Sequence, residues 1–291
     1  MANLKELRGR IKSVASIAQI TRAMEMVASM KLRKVQARAV SFHPYVEEIR
    51  HMIEALADKV AGEVPLFAER EVKTVGVFVV ASDRGLCGAY NSNLLFSLKR
   101  VVDQLQQEGK QVKFWVYGRK GYAWLTRRGF AVERFFVEPP LDKADFAAAK
   151  LVGQALVDAF TAGTVDEVRL YYTRFQSMIK FAPTGAPFLP IRSIAVGEAA
   201  KAHDWALDFL LEPDATTVFN RLLPRYLETV VFDAMLQSLT SEHASRRMAM
   251  KGATDAAVRM QKGLKKVYNR ARQENITKEL LDIVGGASAV S

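Results

Sequence analysis

Apolar residues recur at alternating steps of three and four from the start of the chain: Leu4, Leu7, Ile11, Val14, Ala18, then Ala28, Leu32, Val35, Ala39, Phe42, Val46, Ile49, Ile53 and Leu56. Thr21 and Glu25 occupy the two intervening positions and alone interrupt the seam. A stripe of this period held so long predicts a helix that follows a coiled-coil partner. Pro44 falls inside it and predicts a kink or local loosening. Near the other end the same spacing returns as Leu236, Leu239, His243, Arg246, Met250, Ala253, Ala257, Met260, Leu264, Val267 and Ala271. The stripe then changes phase between 271 and 276 and resumes as Ile276, Leu280, Ile283, Ala287 and Val290.

If the two helices pair antiparallel, residue n faces roughly residue 274 − n, and Leu4 lies beside Arg270. The first helix then ends near the phase change of the second. About 18 further residues, roughly 27 Å of helix, run on alone. Their apolar side chains Ile276, Leu280, Ile283 and Val290 have no partner within the pair, which predicts burial against another molecule.

Between the long helices the period switches. Val72–Ala81, Gln111–Tyr117, Phe130–Val137 and Glu167–Phe175 read as strands, separated by helical stretches at 91–108, Arg119–Arg128 and Asp142–Phe160, the last with Asp142 as its N-cap. Pro183, Gly185, Pro187 and Pro190 then mark a turn and a short edge strand, and Pro224 sets the point after which the closing helix starts in earnest. Strands alternating with helices predict an open, mostly parallel, Rossmann-like α/β sheet. The fold class is therefore α/β with a long antiparallel coiled coil. Its expected parts are an N-terminal coiled-coil helix at 1–58, a central α/β domain at 70–200, and a C-terminal coiled-coil helix with a protruding tip at 214–291.

Charge changes this picture. The net charge of +11 is concentrated at the two ends of the chain. Residues 1–40 carry nine Lys and Arg against two Glu, and residues 243–278 carry ten against two acids. Antiparallel pairing would gather Arg22, Lys31, Arg33, Lys34 and Arg38 at the level of Arg246, Arg247 and Lys251, a girdle suited to an acidic partner. Nucleic acid is the other polyanion to weigh, but no zinc-finger, basic-zipper or RNA-binding aromatic motif is present. No apolar run reaches the roughly 20 residues needed to span a bilayer. The heptad begins at once, with no apolar signal region, so the protein is expected to act in the compartment where it is made.

Little in the sequence suggests chemistry. The single cysteine, Cys87, allows no internal disulfide, and it reads as a small buried residue. His43, His51, His203 and His243 lack ligand spacing. The first strand runs into SDRGLCGAYNSNL, Ser82–Leu94, where glycines between strand and helix could cradle a phosphate. The segment matches neither phosphate-loop consensus, and a tight turn at Gly85 and Gly88 with Asp83 as a cap is the simpler reading. Methionines at helical spacing (Met24, Met26, Met30, Met248, Met250, Met260) read as packing or as an adaptable sliding surface.

Three segments carry a resemblance: ITRAMEMVASMKLRK at Ile20–Lys34, SDRGLCGAYNSNL, and RMAMKGATDAA followed by YNRARQENITKELLDIVGGASAV. Over essentially its whole length the chain resembles the gamma subunit of the rotary F-type ATP synthase, in its bacterial form. The resemblance implies a central-stalk rotor that couples proton-driven rotation of a membrane c-ring to ATP synthesis or hydrolysis at beta-subunit sites. It implies no active site, no cofactor, no bound metal, no direct nucleotide binding and no nucleic-acid partner. The implied partners are the alpha and beta subunits, the epsilon subunit and the c-ring, with a peripheral location on the cytoplasmic side of the cell membrane. It further implies rotor–stator coupling at Met24, Lys31, Arg33, Arg246, Gln273 and Thr277, and an apolar tip held in a sleeve through Ile276, Leu280, Ile283 and Val290. Ser16-Ile17 and Ala256 depart from the family pattern, and the cysteine pair of the redox-regulated chloroplast relatives is absent, which favours the bacterial form.

Overall fold

The computed structural model describes residues 4–60, 65–191, 212 and 214–288. Val290, His203 and the expected domain boundary at 200 lie outside the described residues. The chain forms two compact units, one of residues 1–30 with 246–291 and the other of residues 31–245.

Two helices account for nearly half of the chain: α1, Leu4–Val60, and α5, Ala215–Ser288. Helix α1 continues through Pro44, and α5 begins nine residues before Pro224 rather than after it. Asp214 explains the earlier start. Its carboxylate accepts from the Thr217 amide at 2.8 Å and from the Thr217 hydroxyl at 2.7 Å, capping the first turn ahead of the proline.

In the unit of residues 31–245, the expected strands form as β1, Thr74–Val80; β2, Gln111–Tyr117; β3, Val132–Phe136; and β4, Glu167–Phe175. The intervening helices are α2, Tyr90–Gln107; α3, Arg119–Thr126; and α4, Phe146–Thr161. Strand β5, Phe181–Leu189, pairs antiparallel with β4, and the sheet order is β3-β2-β1-β4-β5 with all other pairings parallel. The expectation of a turn and a short strand here needs correction, because β5 is as long as β4. Pro183 and Pro187 are tolerated because an edge strand has one row of amides with no neighbour to serve.

Helix α4 is capped by Asp145, which accepts from the Ala148 amide at 3.1 Å. Asp142, the expected cap, lies instead in a separate 3-10 turn, Leu141–Lys143. The extended backbone of Ala144 and Asp145 separates the turn from the helix, so the nearer aspartate takes the capping position.

Alternation along β1 sends Val75, Val77 and Val79 to one core and Phe78 and Val80 to the other. The first core is closed by Leu94, Leu98 and Val102 of α2. The second is closed by Val152 and Leu156 of α4, Ile53 of α1 and Phe219, Leu223, Leu227 and Val231 of α5. Both faces of the sheet are thus covered, as a parallel sheet requires.

Candidate functional site

Within the unit of residues 1–30 and 246–291, two contacts fix the pairing of the helices. The Thr254 hydroxyl donates to that of Thr21 at 2.8 Å, and the Arg8 guanidinium donates to the Tyr268 hydroxyl at 3.0 Å while standing 5.9 Å from the centre of the Tyr268 ring. The helices are antiparallel, and the facing residues are displaced by one or two positions from those expected from the heptads alone. Thr21 therefore does not weaken the seam: it is held by a hydroxyl partner buried at 4 % exposure.

Burial follows the expected stripe on α1, with Leu7 and Ala28 fully enclosed. On α5 the stripe needs correction. From Met250 the shielded positions continue as Thr254, Ala257, Gln261, Leu264, Tyr268, Ala271 and Asn275, in unbroken steps of three and four. Met260 and Val267, expected in the seam, are 58 % and 51 % exposed. Facing geometry sets the seam, and apolarity does not override it when Gln261 and Tyr268 can lay their stems across the partner helix. With the seam in a single phase through Asn275, the displaced apolar set at Ile276 is a change of sequence pattern and not a change in helix phase.

Ile276, Leu280 and Ile283 are 46 %, 57 % and 67 % exposed, and Leu281 and Val284 are exposed on the same stretch of helix. Helix α5 continues to Ser288, about 17 residues or roughly 25 Å beyond the position facing Leu4. Gln273 and Thr277 are exposed on this stretch, with the Thr277 hydroxyl donating back to the Gln273 carbonyl at 2.9 Å. Met24 and Arg246 are both half-buried. The pairing puts Met24 level with the residues near 251 and Arg246 level with those near 29, about one and a half helical turns apart.

Lys31 and Arg33 belong to the other unit. Arg33 is exposed. The Lys31 ammonium donates to Asp142 at 2.7 Å, and this hydrogen-bonded ion pair holds the Asp142 carboxyl below the usual range. Arg38 is also engaged, donating to the Ala144 carbonyl at 2.8 Å with its guanidinium 4.8 Å from the centre of the Phe232 ring. Two of the five cations expected in the α1 girdle thus have partners in their own unit. An open groove of about 500 Å³ lies beside Arg38, lined also by Phe42, Tyr45, Phe146, Arg225 and Phe232.

The loop after β1 hydrogen-bonds to its own surroundings. Asn91 of α2 accepts from the Ser82 amide at 3.2 Å and donates to the Ser82 hydroxyl at 2.7 Å, while the Ser82 hydroxyl also lies 2.8 Å from the Arg84 carbonyl. Asp83 accepts from the Arg119 amide at 3.2 Å and the Leu141 amide at 3.0 Å, so it caps α3 and the turn before α4, not α2. The turn is made by Leu86 and Gly88 at φ 61° and 58°. Cys87 is buried at 2 % exposure, and its carbonyl accepts from the Ser245 hydroxyl of α5 at 2.6 Å. In doubly wound folds a ligand enters at the carboxyl ends of the strands, where strand order reverses; here that place, between β1 and β4, is reached by α5 itself. The Ser238 hydroxyl lies 3.4 Å from the Val80 carbonyl and accepts from the Thr173 amide at 3.1 Å, and Ser241 donates to the Thr173 carbonyl at 3.1 Å. The sequence reading missed these serines. Their spacing in the stretch AMLQSLTSEHAS, following a heptad stripe among apolar residues, is the signal that could have found them.

Among the described residues, no helix is long and apolar enough to cross a membrane. A family model described as ATP synthase matches residues 3–290. The ATP synthase gamma chain of Cupriavidus necator is 41 % identical over 300 residues, covering 100 % of both chains, and that of Saccharopolyspora erythraea is 40 % identical over 306 residues, covering 100 % of this chain and 98 % of its own. The fold is shared with the rotor of the Euglena gracilis mitochondrial ATP synthase at a TM-score of 0.65 and 17 % identity, covering 94 % of this chain and 98 % of that one. It is also shared with a chain of the Tetrahymena thermophila mitochondrial central stalk and c-ring at a TM-score of 0.59 and 24 % identity, covering 80 % and 99 %.

Proposed function

This chain belongs to the ATP synthase gamma-chain family, and from that premise we propose that it is the central-stalk rotor of an F-type ATP synthase, carrying no active site of its own. Its partners in this reading are a ring of alpha and beta subunits, an epsilon subunit and a membrane c-ring. It acts as a peripheral protein at the cytoplasmic face of the cell membrane, coupling proton-driven rotation to ATP synthesis or hydrolysis on beta. The working parts are the helix of residues 1–58, the α/β domain of residues 70–200 and the helix of residues 214–291.

The observation that carries the reading is an antiparallel helix pair from which one helix runs on with exposed Ile276, Leu280 and Ile283. A lone apolar stripe on an extended helix calls for an enclosing apolar sleeve. The same pair supplies the asymmetry that coupling demands. Its two strands differ in length and sequence, so each azimuth presents a different surface. A shaft of this kind stabilises different open and closed states at three otherwise identical sites, and turning it moves that preference round the ring. Only such differential contact shifts a conformational equilibrium. Met24, Lys31, Arg33, Arg246, Gln273 and Thr277 are the proposed coupling positions, and Ile276, Leu280, Ile283 and Val290 the proposed bearing. Solvated Lys and Arg suit a sliding contact, because exposed ion pairs are individually weak and re-form easily.

The test is ATP hydrolysis by alpha and beta subunits assembled with this chain, full length or ending at Ala271, with rotation followed through a probe on the α/β domain. The full-length chain turns, and the shortened one turns with less torque or releases from the ring. A full-length chain that neither assembles nor turns refutes the rotor assignment.

A further inference from the structure

Three serines of α5 fall on one stripe at i, i+3 and i+7 and meet the carboxyl end of the sheet. Ser238 lies against the Val80 carbonyl and takes the Thr173 amide, Ser241 donates to the Thr173 carbonyl, and Ser245 donates to the Cys87 carbonyl. All three are buried, at 0 %, 0 % and 6 % exposure. Tyr90 lies fully buried beside Ser238, Thr173 and Glu242, and burial raises its phenol above the ordinary range. These polar groups sit on a helix whose buried side chains include the apolar Phe219, Leu223, Leu227, Val231, Met235 and Leu239 of the sheet-facing core.

Apolar contact alone sets a helix on a sheet loosely in azimuth, since ridges can settle into more than one groove at little cost. Hydroxyls aimed at fixed backbone groups behave differently. A serine hydroxyl stands roughly 4 Å from the helix axis, so a roll of about 30° carries it about 2 Å, far more than a hydrogen bond tolerates. Three anchors spread over roughly 10 Å of helix also resist tilt. Breaking them would leave buried carbonyls without a donor, which costs more than the bonds contribute when made.

We propose that Ser238, Ser241 and Ser245 are positioning residues that lock the rotational setting of α5 on the sheet, so that torque passes between helix and sheet without slip. The proposal rests on the rotor reading. The place where other doubly wound folds receive a ligand is used here as a splined joint, filled by a segment of the same chain.

The assembled enzyme tests this through the angular spread of a probe on the α/β domain during pauses in ATP-driven rotation. The Ser241→Ala/Ser245→Ala variant is compared with Thr240→Ala. Thr240 is also buried, at 3 % exposure, but its hydroxyl bonds only to the Leu236 carbonyl of its own helix, at 2.7 Å. Both variants lose stability, whereas only the serine variant widens the spread, by about two-fold as two of three anchors are lost. If the double variant does not assemble, Ser241→Ala alone is read in the same way, and Ser245→Thr, which keeps a hydroxyl, retains the narrow spread. Equal spreads in the wild type, the serine variant and the threonine variant overturn the joint while leaving the rotor intact. A wild-type chain that does not turn overturns the rotor reading instead.

Discussion

Replacing Ile276, Leu280 and Ile283 together by serine probes the bearing directly. In the free chain these side chains are half to two-thirds exposed, so substitution there costs little stability and leaves the helix pair of residues 4–30 and 246–275 untouched. Enclosure by a sleeve would remove the remaining exposed fraction of each. Complete burial of such a side chain is worth about 1.5 to 3 kcal/mol, so the exposed fractions correspond to about 1 to 1.5 kcal/mol each and about 4 kcal/mol together. At about 1.4 kcal/mol per decade, the triple variant should leave the alpha–beta ring up to about a thousand-fold faster. The assay is chase dissociation of a fluorescent chain from the assembled ring. Leu151→Ser serves as the control, because Leu151 is 56 % exposed on α4 in the other unit. If the triple variant dissociates at the wild-type rate, or the Leu151 variant dissociates just as fast, the tip is not a buried bearing and the overhang needs another explanation.

Gly118→Ala should be severely destabilising, because a Cβ there would meet the Ala81 carbonyl oxygen at 2.1 Å with φ at +99°. Gly109→Ala, at φ +76° with nothing within 4 Å, carries backbone strain alone. Thermal unfolding should separate the two by about 2 kcal/mol or more, and equal losses would refute the close approach of the strand ends. The Lys31–Asp142 pair gives a pH test. Asp142 has a folded pKa depressed below its ordinary 3.8, so its contribution is present above that value and is lost as pH falls through the lower folded one. Lys31→Gln should return the Asp142 titration, followed by carboxyl NMR, toward 3.8 with a stability loss below about 1 kcal/mol, since both groups are partly solvated. An unchanged titration would dismiss the pair.

Periodicity alone, in steps of three and four at the ends and alternating strands and helices between, determined two long helices and a mostly parallel sheet. Local patterns suffice where each residue's choice agrees with its neighbours'. The antiparallel pairing was legible to within one or two residues, because apolar stripes of fixed phase allow few registers. The exposed tip was legible for the same reason: a stripe without a partner shows itself by length. Tertiary structure decided what depends on which atoms face each other. It put Gln261 and Tyr268 into the seam in place of Met260 and Val267. It gave the α4 cap to Asp145 and left Asp142 to Lys31. It also set Ser238, Ser241 and Ser245, which the pattern along the chain had not singled out, against backbone groups at the carboxyl end of the sheet. A sequence ranks side chains by how much they prefer to leave water. Whether a hydroxyl finds a carbonyl, or an ammonium a carboxylate, depends on distances between segments that only the folded chain brings together.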